Sequence, residues 1–285
     1  MKRIKTVIRK AFNKIENHNK FIKRIVQFLN LLLCKPVRYS DNSIIASLTS
    51  YPPRINSCWI TITSLFNQNF KGYKILLVLS LEEFPSKQIP WTLKLLRFKG
   101  LEILWCKENY KSYKKLIPVK KKYPNSTIIT FDDDTYYEKW RIKKLISEHK
   151  IHPKALIGHR GRQIKVNDNN EVDIYVNWKL SSKRFDTKYT FLIGVGGILY
   201  PPNKHFDCLI QDYSLAIKLS PNADDIFFWA VAYHLNIHII CLGNRKTKKV
   251  LELRKSPKLW ALNKNSAINN DTQMKKVMEY FKINL

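Results

Sequence analysis

The chain has 285 residues and 45% hydrophobic content, enough for one large or two small domains with a sizeable core, which excludes a disordered protein. Lysine and arginine outnumber aspartate and glutamate by 51 to 22, and the net charge of +29 calls for an anionic partner: a nucleic acid, an anionic membrane face or a phosphorylated substrate. The five cysteines lie far apart with no C-x-x-C pair, and Cys106 and Cys241 sit in apolar runs, so a disulfide framework and structural zinc are excluded and a reducing compartment is expected.

The first forty residues differ from the rest. Ile4, Val7, Ile8, Ala11, Phe12 and Ile15 recur at helical spacing, with Lys2, Lys5, Arg9, Lys10 and Lys14 mostly off that stripe. Phe21, Ile25, Phe28, Leu29 and Leu32 continue in the same fashion. The pattern predicts a basic amphipathic helical extension over 1–40. It reads either as an interfacial anchor on anionic lipid or as a helix packed on its own domain. Its most apolar run, FLNLLLC at 28–34, is too short to span a bilayer and lacks a signal-peptide cleavage site.

Pro36 and the polar YSDNS mark a boundary, and a domain over 41–245 follows. Strands are predicted at 43–51, 73–80, 101–106 and 127–131, with helices at 55–68, around 91–97 and partly over 113–124 despite Pro118. This rhythm predicts an α/β fold whose mostly parallel sheet is covered by helices on both faces. The second half is less regular. ALIGHRG, DIYVNWKL and TFLIGVGGILYPP read as strands, and ADDIFFWAVAYHL as a helix followed by the strand IHIICLG. The polar, lysine-rich tail over 246–285 ends in a predicted helix, TQMKKVMEYFKI, expected to pack on the domain.

The stretch TIITFDDDTYY at 127–137 carries the chemistry. Three adjacent carboxylates repel one another unless water or a cation relieves them. In parallel α/β sheets ligands gather at the carboxyl ends of strands, where Asp132, Asp133 and Asp134 stand. Residues i and i+2 of an extended chain point the same way, so Asp132 and Asp134 are candidates to converge on a hard divalent cation, Mn2+ or Mg2+. Asp224 and Asp225 open a helix and read as helix-terminal carboxylates or as a general base. Gly194, Gly196 and Gly197 cost stability on a strand unless something approaches closely. His149, His152 and His159 straddle a helix end and a strand and make a poor metal set.

Four segments in order resemble bacterial glycosyltransferases of the GT-A fold, similar to family 2 enzymes of surface-polysaccharide clusters. They are ASLTSYPPRI at 46–55, SYKKL at 112–116, TFDDDTYY at 130–137 and NADDIFFWAVA at 222–232. The resemblance implies a Rossmann-like GT-A domain in which Thr49, Ser50, Tyr51, Arg54, Lys114, Lys115, Asp132 and Asp133 bind the donor. It implies a metal on Asp132 and Asp134, a base at Asp225 in preference to Asp224, and Gly196 and Gly197 beside the sugar and acceptor. The implied activity is inverting transfer from a nucleotide-diphosphate sugar, a UDP-sugar, to a glycan or lipid-linked acceptor in capsule or lipopolysaccharide synthesis. No nucleic-acid partner is implied, and the expected location is cytoplasmic, peripheral on the inner face of the membrane. Two rivals remain: a magnesium-dependent phosphohydrolase of the haloacid dehalogenase type, and a non-catalytic nucleic-acid-binding protein suggested by charge and interleaved aromatics such as YKSYKKL.

Overall fold

Apolar runs bounded by turn residues become the strands β1 (Ile44–Thr49), β2 (Lys74–Ser80), β3 (Leu101–Cys106) and β4 (Thr127–Phe131). The computed structural model describes residues 20–36, 43–167, 171–243, 248–249 and 268–285. β1 runs parallel to β2 on one side and β4 on the other, and β3 extends the sheet beyond β2. β2 is buried along its whole length, as an unbroken apolar strand covered on both faces must be. Its side chains alternate between two cores: Leu76 and Val78 join one, Ile75, Leu77 and Leu79 the other.

Past β4 the sheet continues through β10 (Ile198–Tyr200), β6 (Leu156–Gly158) and β11 (Ile239–Cys241), in the order β11-β6-β10-β4-β1-β2-β3. β10 is antiparallel to both of its neighbours, β4 and β6. The helices are α1 (Lys20–Leu33), α2 (Cys58–Phe66), α3 (Trp91–Phe98), α4 (Ile117–Lys122), α5 (Arg141–Ile151), α6 (Lys204–Ile210), α7 (Tyr213–Leu219), α8 (Asp224–His234) and α9 (Asn270–Phe281).

The second half departs from the sequence pattern in several places; ALIGHRG splits into β6 and, after a bend at 159–160, β7 (Gly161–Gln163) of a separate three-stranded sheet. The predicted strand DIYVNWKL is a 3-10 turn at Tyr175–Asn177 followed by the two-residue strand β8 (Lys179–Leu180). There the Trp178 indole donates to the Asp173 carbonyl at 2.7 Å, closing the chain on itself in place of a ladder. The predicted strand at 190–202 breaks into β9 (Thr190–Leu192), a 3-10 turn at Gly194–Gly196, and β10. Gly197 at φ +88° makes the break, a conformation that a side chain disfavours.

The stripe from Ile4 to Ile15 lies outside the described residues. α1 buries Leu31 beside Cys34 in the core with α2, while Ile25, Phe28, Leu29 and Leu32 stay exposed. At the other end α9 packs on α8 through Met274, Val277 and Phe281. Cys34, Cys58, Cys106 and Cys241 are buried thiols and Cys208 is exposed. Among the described residues no helix is long and apolar enough to cross a membrane.

Candidate active site

The strand order reverses at β1: β2 and β3 lie on one side, β4 on the other. A crevice therefore opens outside the carboxyl ends of β1 and β4. It is a cleft of about 840 Å³, and its lining includes Thr49, Ser50, Tyr51, Arg54, Lys114, Lys115, Asp132, Asp133, Asp134, Asp224 and Asp225. Residues as far apart in the chain as Thr49 and Asp271 meet in this one space.

β1 and the turn after it form the first wall. Thr49 donates to the Val78 carbonyl at 2.8 Å, which pins the end of β1 to β2. Ser50 and Arg54 hold the carboxylate of Asp133, at 2.6 and 2.9 Å, and Arg54 lies over the Tyr51 ring at 5.6 Å. Arg54 also stands 3.4 Å from Asp134. Burial works against the Arg54 charge, but Asp133 and Asp134 outweigh it and hold the guanidinium above its ordinary range. Burial pushes Asp133 up to about 6 despite Arg54 and Ser50. Asp133 is thus a buried link between the β1 turn and the β4 end, and the Thr61 hydroxyl holds its backbone carbonyl at 2.9 Å.

Lys115 joins the two acidic groups. Its ammonium lies 3.0 Å from Asp132 and 3.0 Å from Asp224, and only 5% of the residue is exposed. Burial disfavours its charge, yet Asp132, Asp224 and Asp225 together raise its pKa well above the ordinary value. Tyr113 fixes this segment by donating to the Ser220 carbonyl at 2.6 Å, just before the helix that carries Asp224 and Asp225. Lys114 lines the cleft too, but it is paired with Glu83 and donates to Asn109 at 2.9 Å.

Asp225 is half-buried at the start of α8, and one carboxylate oxygen accepts the Gly194 backbone N–H at 2.9 Å. Burial and the neighbouring Asp224 push it up to about 7, against the pull of Lys115 and Gly194. A Cβ at Gly194 would stand 2.9 Å from this carboxylate and 3.1 Å from the Lys115 ammonium, so a side chain there would displace both groups. Gly196 and Gly197 are not among the lining residues. A Cβ would meet Arg160 at the first and the Phe131 ring at the second, both at 2.7 Å, so these two glycines permit backbone packing behind the wall. Tyr137 ties that wall to the aspartates, accepting the Asp132 N–H at 3.0 Å and donating to the Val195 carbonyl at 3.3 Å.

Asp132 and Asp134 both line the cleft, with Asp133 between them turned into its own buried pair. Two cleft-lining carboxylates fit Mn2+ or Mg2+, hard cations that bind through one or two carboxylates and complete their shell with substrate phosphates and water. Among the described residues no group of three His, Cys, Asp or Glu side chains is arranged to hold an ion without such help. The histidines are spread apart: His159 is buried against the Arg141 carbonyl, His149 is near Thr127 and His152 near Glu148.

The cleft also takes in side chains without a sequence signal. Arg160, Arg162 and Tyr175 line it, and so do Asn269, Asn270 and Asp271 at the start of α9. Asp271 accepts the Tyr175 N–H at 2.6 Å and Gln273 accepts the Asn222 N–H at 2.9 Å, so the tail helix is part of the wall. Isolated arginines and asparagines carry no periodicity, and only their position distinguishes them.

No family model matches the chain and no curated protein matches it. Among solved structures it is similar to the 1–349 segment of S. aureus TarS in complex with UDP-GlcNAc. There the identity is 15%, the TM-score 0.50, and the coverage 84% of this chain and 65% of that one. The same segment in complex with UDP gives 15% identity, a TM-score of 0.46 and coverages of 84% and 70%. A further structure of the segment gives 16%, 0.46, and 72% and 59%. The chain thus spans less than two thirds of two of these three structures. At such identity the likeness is one of fold: a mostly parallel sheet flanked by helices, in the GT-A arrangement.

Proposed function

We propose that this GT-A chain is a metal-dependent, inverting glycosyltransferase that moves a sugar from a nucleotide-diphosphate donor, a UDP-sugar, to a glycan or lipid-linked acceptor in cell-surface polysaccharide synthesis. The observation that carries the reading is Lys115, whose ammonium touches a β4-end carboxylate and an α8 carboxylate at once. It joins a diphosphate-handling group to a carboxylate pair suited to accept a proton. The similarity to a structure holding UDP-GlcNAc supports the choice of donor.

In this reading the donor diphosphate lies by the β1 turn and the β4 end, where Arg54 and Lys115 supply fixed positive charge. The acceptor oxygen forms a bond to the anomeric carbon as the bond to the diphosphate oxygen breaks. The electron pair leaves with the nucleoside diphosphate, and the hydroxyl proton passes to Asp225. Fixed cations stabilise the growing negative charge without reorganising. A divalent cation on Asp132 and Asp134 would supply Lewis-acid stabilisation of the same leaving group. Asp225 at about 7 is matched to a general base working near neutral pH. Gly194 orients its carboxylate through the backbone N–H.

The dehalogenase rival expects its aspartates after the strand that opens the fold, whereas these follow β4, the fourth strand in chain order. A nucleic-acid groove would not be lined with six aspartates. The test is UDP binding with and without manganese, followed by UDP-sugar hydrolysis, for the native protein and Asp134→Asn. Manganese-dependent binding and slow hydrolysis are expected, both lost in the variant while circular dichroism stays native. Unchanged activity of the variant would remove the metal from the reading.

A further inference from the structure

Large apolar side chains are exposed on one face far from the aspartates in sequence. Ile25, Phe28, Leu29 and Leu32 recur at i, i+3, i+4 and i+7 along α1 and are 39 to 48% exposed. α3 adds Trp91 at 60% and Phe98 at 89%. Two contacts make this a single surface. The rings of Phe28 and Trp91 meet edge-on at 6.0 Å. Lys99, next to Phe98, donates to the carbonyls of Leu32 and Cys34 at 2.9 Å each, tying the end of α3 to the end of α1. Leu31 is fully buried, so α1 is seated on the domain by its other side.

The surroundings of the patch are basic. Arg24, Lys35, Lys94 and Arg97 are exposed around it, and neither 20–36 nor 86–100 contains an aspartate or glutamate. An apolar stripe with a cationic rim matches one partner in shape and charge: acyl chains below, anionic headgroups around. A polyanion without an apolar layer would leave the stripe in water.

We propose that this composite face docks on an anionic lipid bilayer, with Trp91 and Phe98 entering the headgroup boundary beside the α1 stripe. The contact is thus shared between α1 and α3, and the N-terminal helix is not the whole anchor. Interfacial insertion is the mode expected where no described helix can cross a membrane. The inference does not depend on the transfer chemistry.

Co-sedimentation of the full chain with equimolar phosphatidylglycerol–phosphatidylcholine vesicles tests it, with UDP binding followed in parallel. The protein should pellet with these vesicles, bind phosphatidylcholine alone far more weakly, and be released by salt. Trp91→Ala with Phe98→Ala should reduce partitioning on the order of thirtyfold or more. Lys94→Gln and Arg97→Gln should each reduce it about fivefold. Circular dichroism and UDP binding should stay as in the native chain, since these side chains project from the surface. Quenching of tryptophan fluorescence by brominated lipid should fall in Trp91→Phe, a change too mild to unfold the chain. Native partitioning of the double variant, or no binding by the native chain, would overturn the proposal. So would a dimer that the double variant dissociates without any vesicle binding, because a second copy would then own the face.

Discussion

The two acidic groups of the cleft differ in how their charge is met. At the end of β4, each aspartate has a cation: Lys115 for Asp132, and Arg54 for both Asp133 and Asp134. At the start of α8, Asp224 and Asp225 share the field of one lysine already committed to Asp132, and Asp225 is pushed up to about 7. Both groups sit in similar burial on a strongly basic chain. The difference teaches that position relative to fixed cations, and not net charge, sets what a carboxylate can do. Asp133, buried against its own arginine, rises to about 6, whereas Asp225, which shares a lysine, rises to about 7 and can take up a proton near neutrality.

The comparison breaks most visibly at Arg54. Arg54→Met should leave Asp133 buried without its cation and cost about 3–5 kcal/mol of stability, read from the urea midpoint. Adding Asp133→Asn should recover part of that loss. If Arg54→Met alone unfolds at the native midpoint, the β4 group is not held by charge pairing. Asp225→Asn tests the other group: turnover should drop on the order of a hundredfold or more while UDP binding hardly changes. NMR of the product should show inverted anomeric configuration for the native enzyme, and a retained configuration would rule out the single displacement.

Gly194→Ala should cost about tenfold in kcat, because the added methyl crowds the Asp225 carboxylate and Lys115 without removing either. An unchanged kcat would mean that the N–H contact does not orient the base. The smallest effects concern pH. A base active when deprotonated predicts that kcat/KM rises through about pH 7, and Asp224→Asn should move that midpoint downward by removing the like charge. Stability has the opposite trend. The folded Asp225 holds its proton to about 7 while the unfolded one releases it near about 4, so stability contributed by this group is lost as pH rises across that window. Asp225→Asn should flatten that decline in urea titrations run at successive pH values.

The sequence by itself determined the parallel half of the molecule and the identity of its charged positions. β1 to β4 are unbroken apolar runs bounded by turn residues, and such runs have few alternatives once both faces are covered. The Asp132–Asp134 cluster was legible because adjacent like charges at a strand end need a cause. Only the tertiary structure decided the rest. DIYVNWKL alternates like a strand, but the Trp178 indole bond to Asp173 turns it locally, a contact that period counting does not see. Gly194 rather than its neighbours meets Asp225 because the turn before β10 brings the backbone to α8. The tail helix enters the cleft wall through Asp271, and α3 lends Trp91 and Phe98 to the face of α1. Apart from the Trp178 bond, which spans five residues, each of these rests on contacts between segments distant in the chain. Local pattern indicates most helices and strands, whereas packing alone fixes which of them become neighbours.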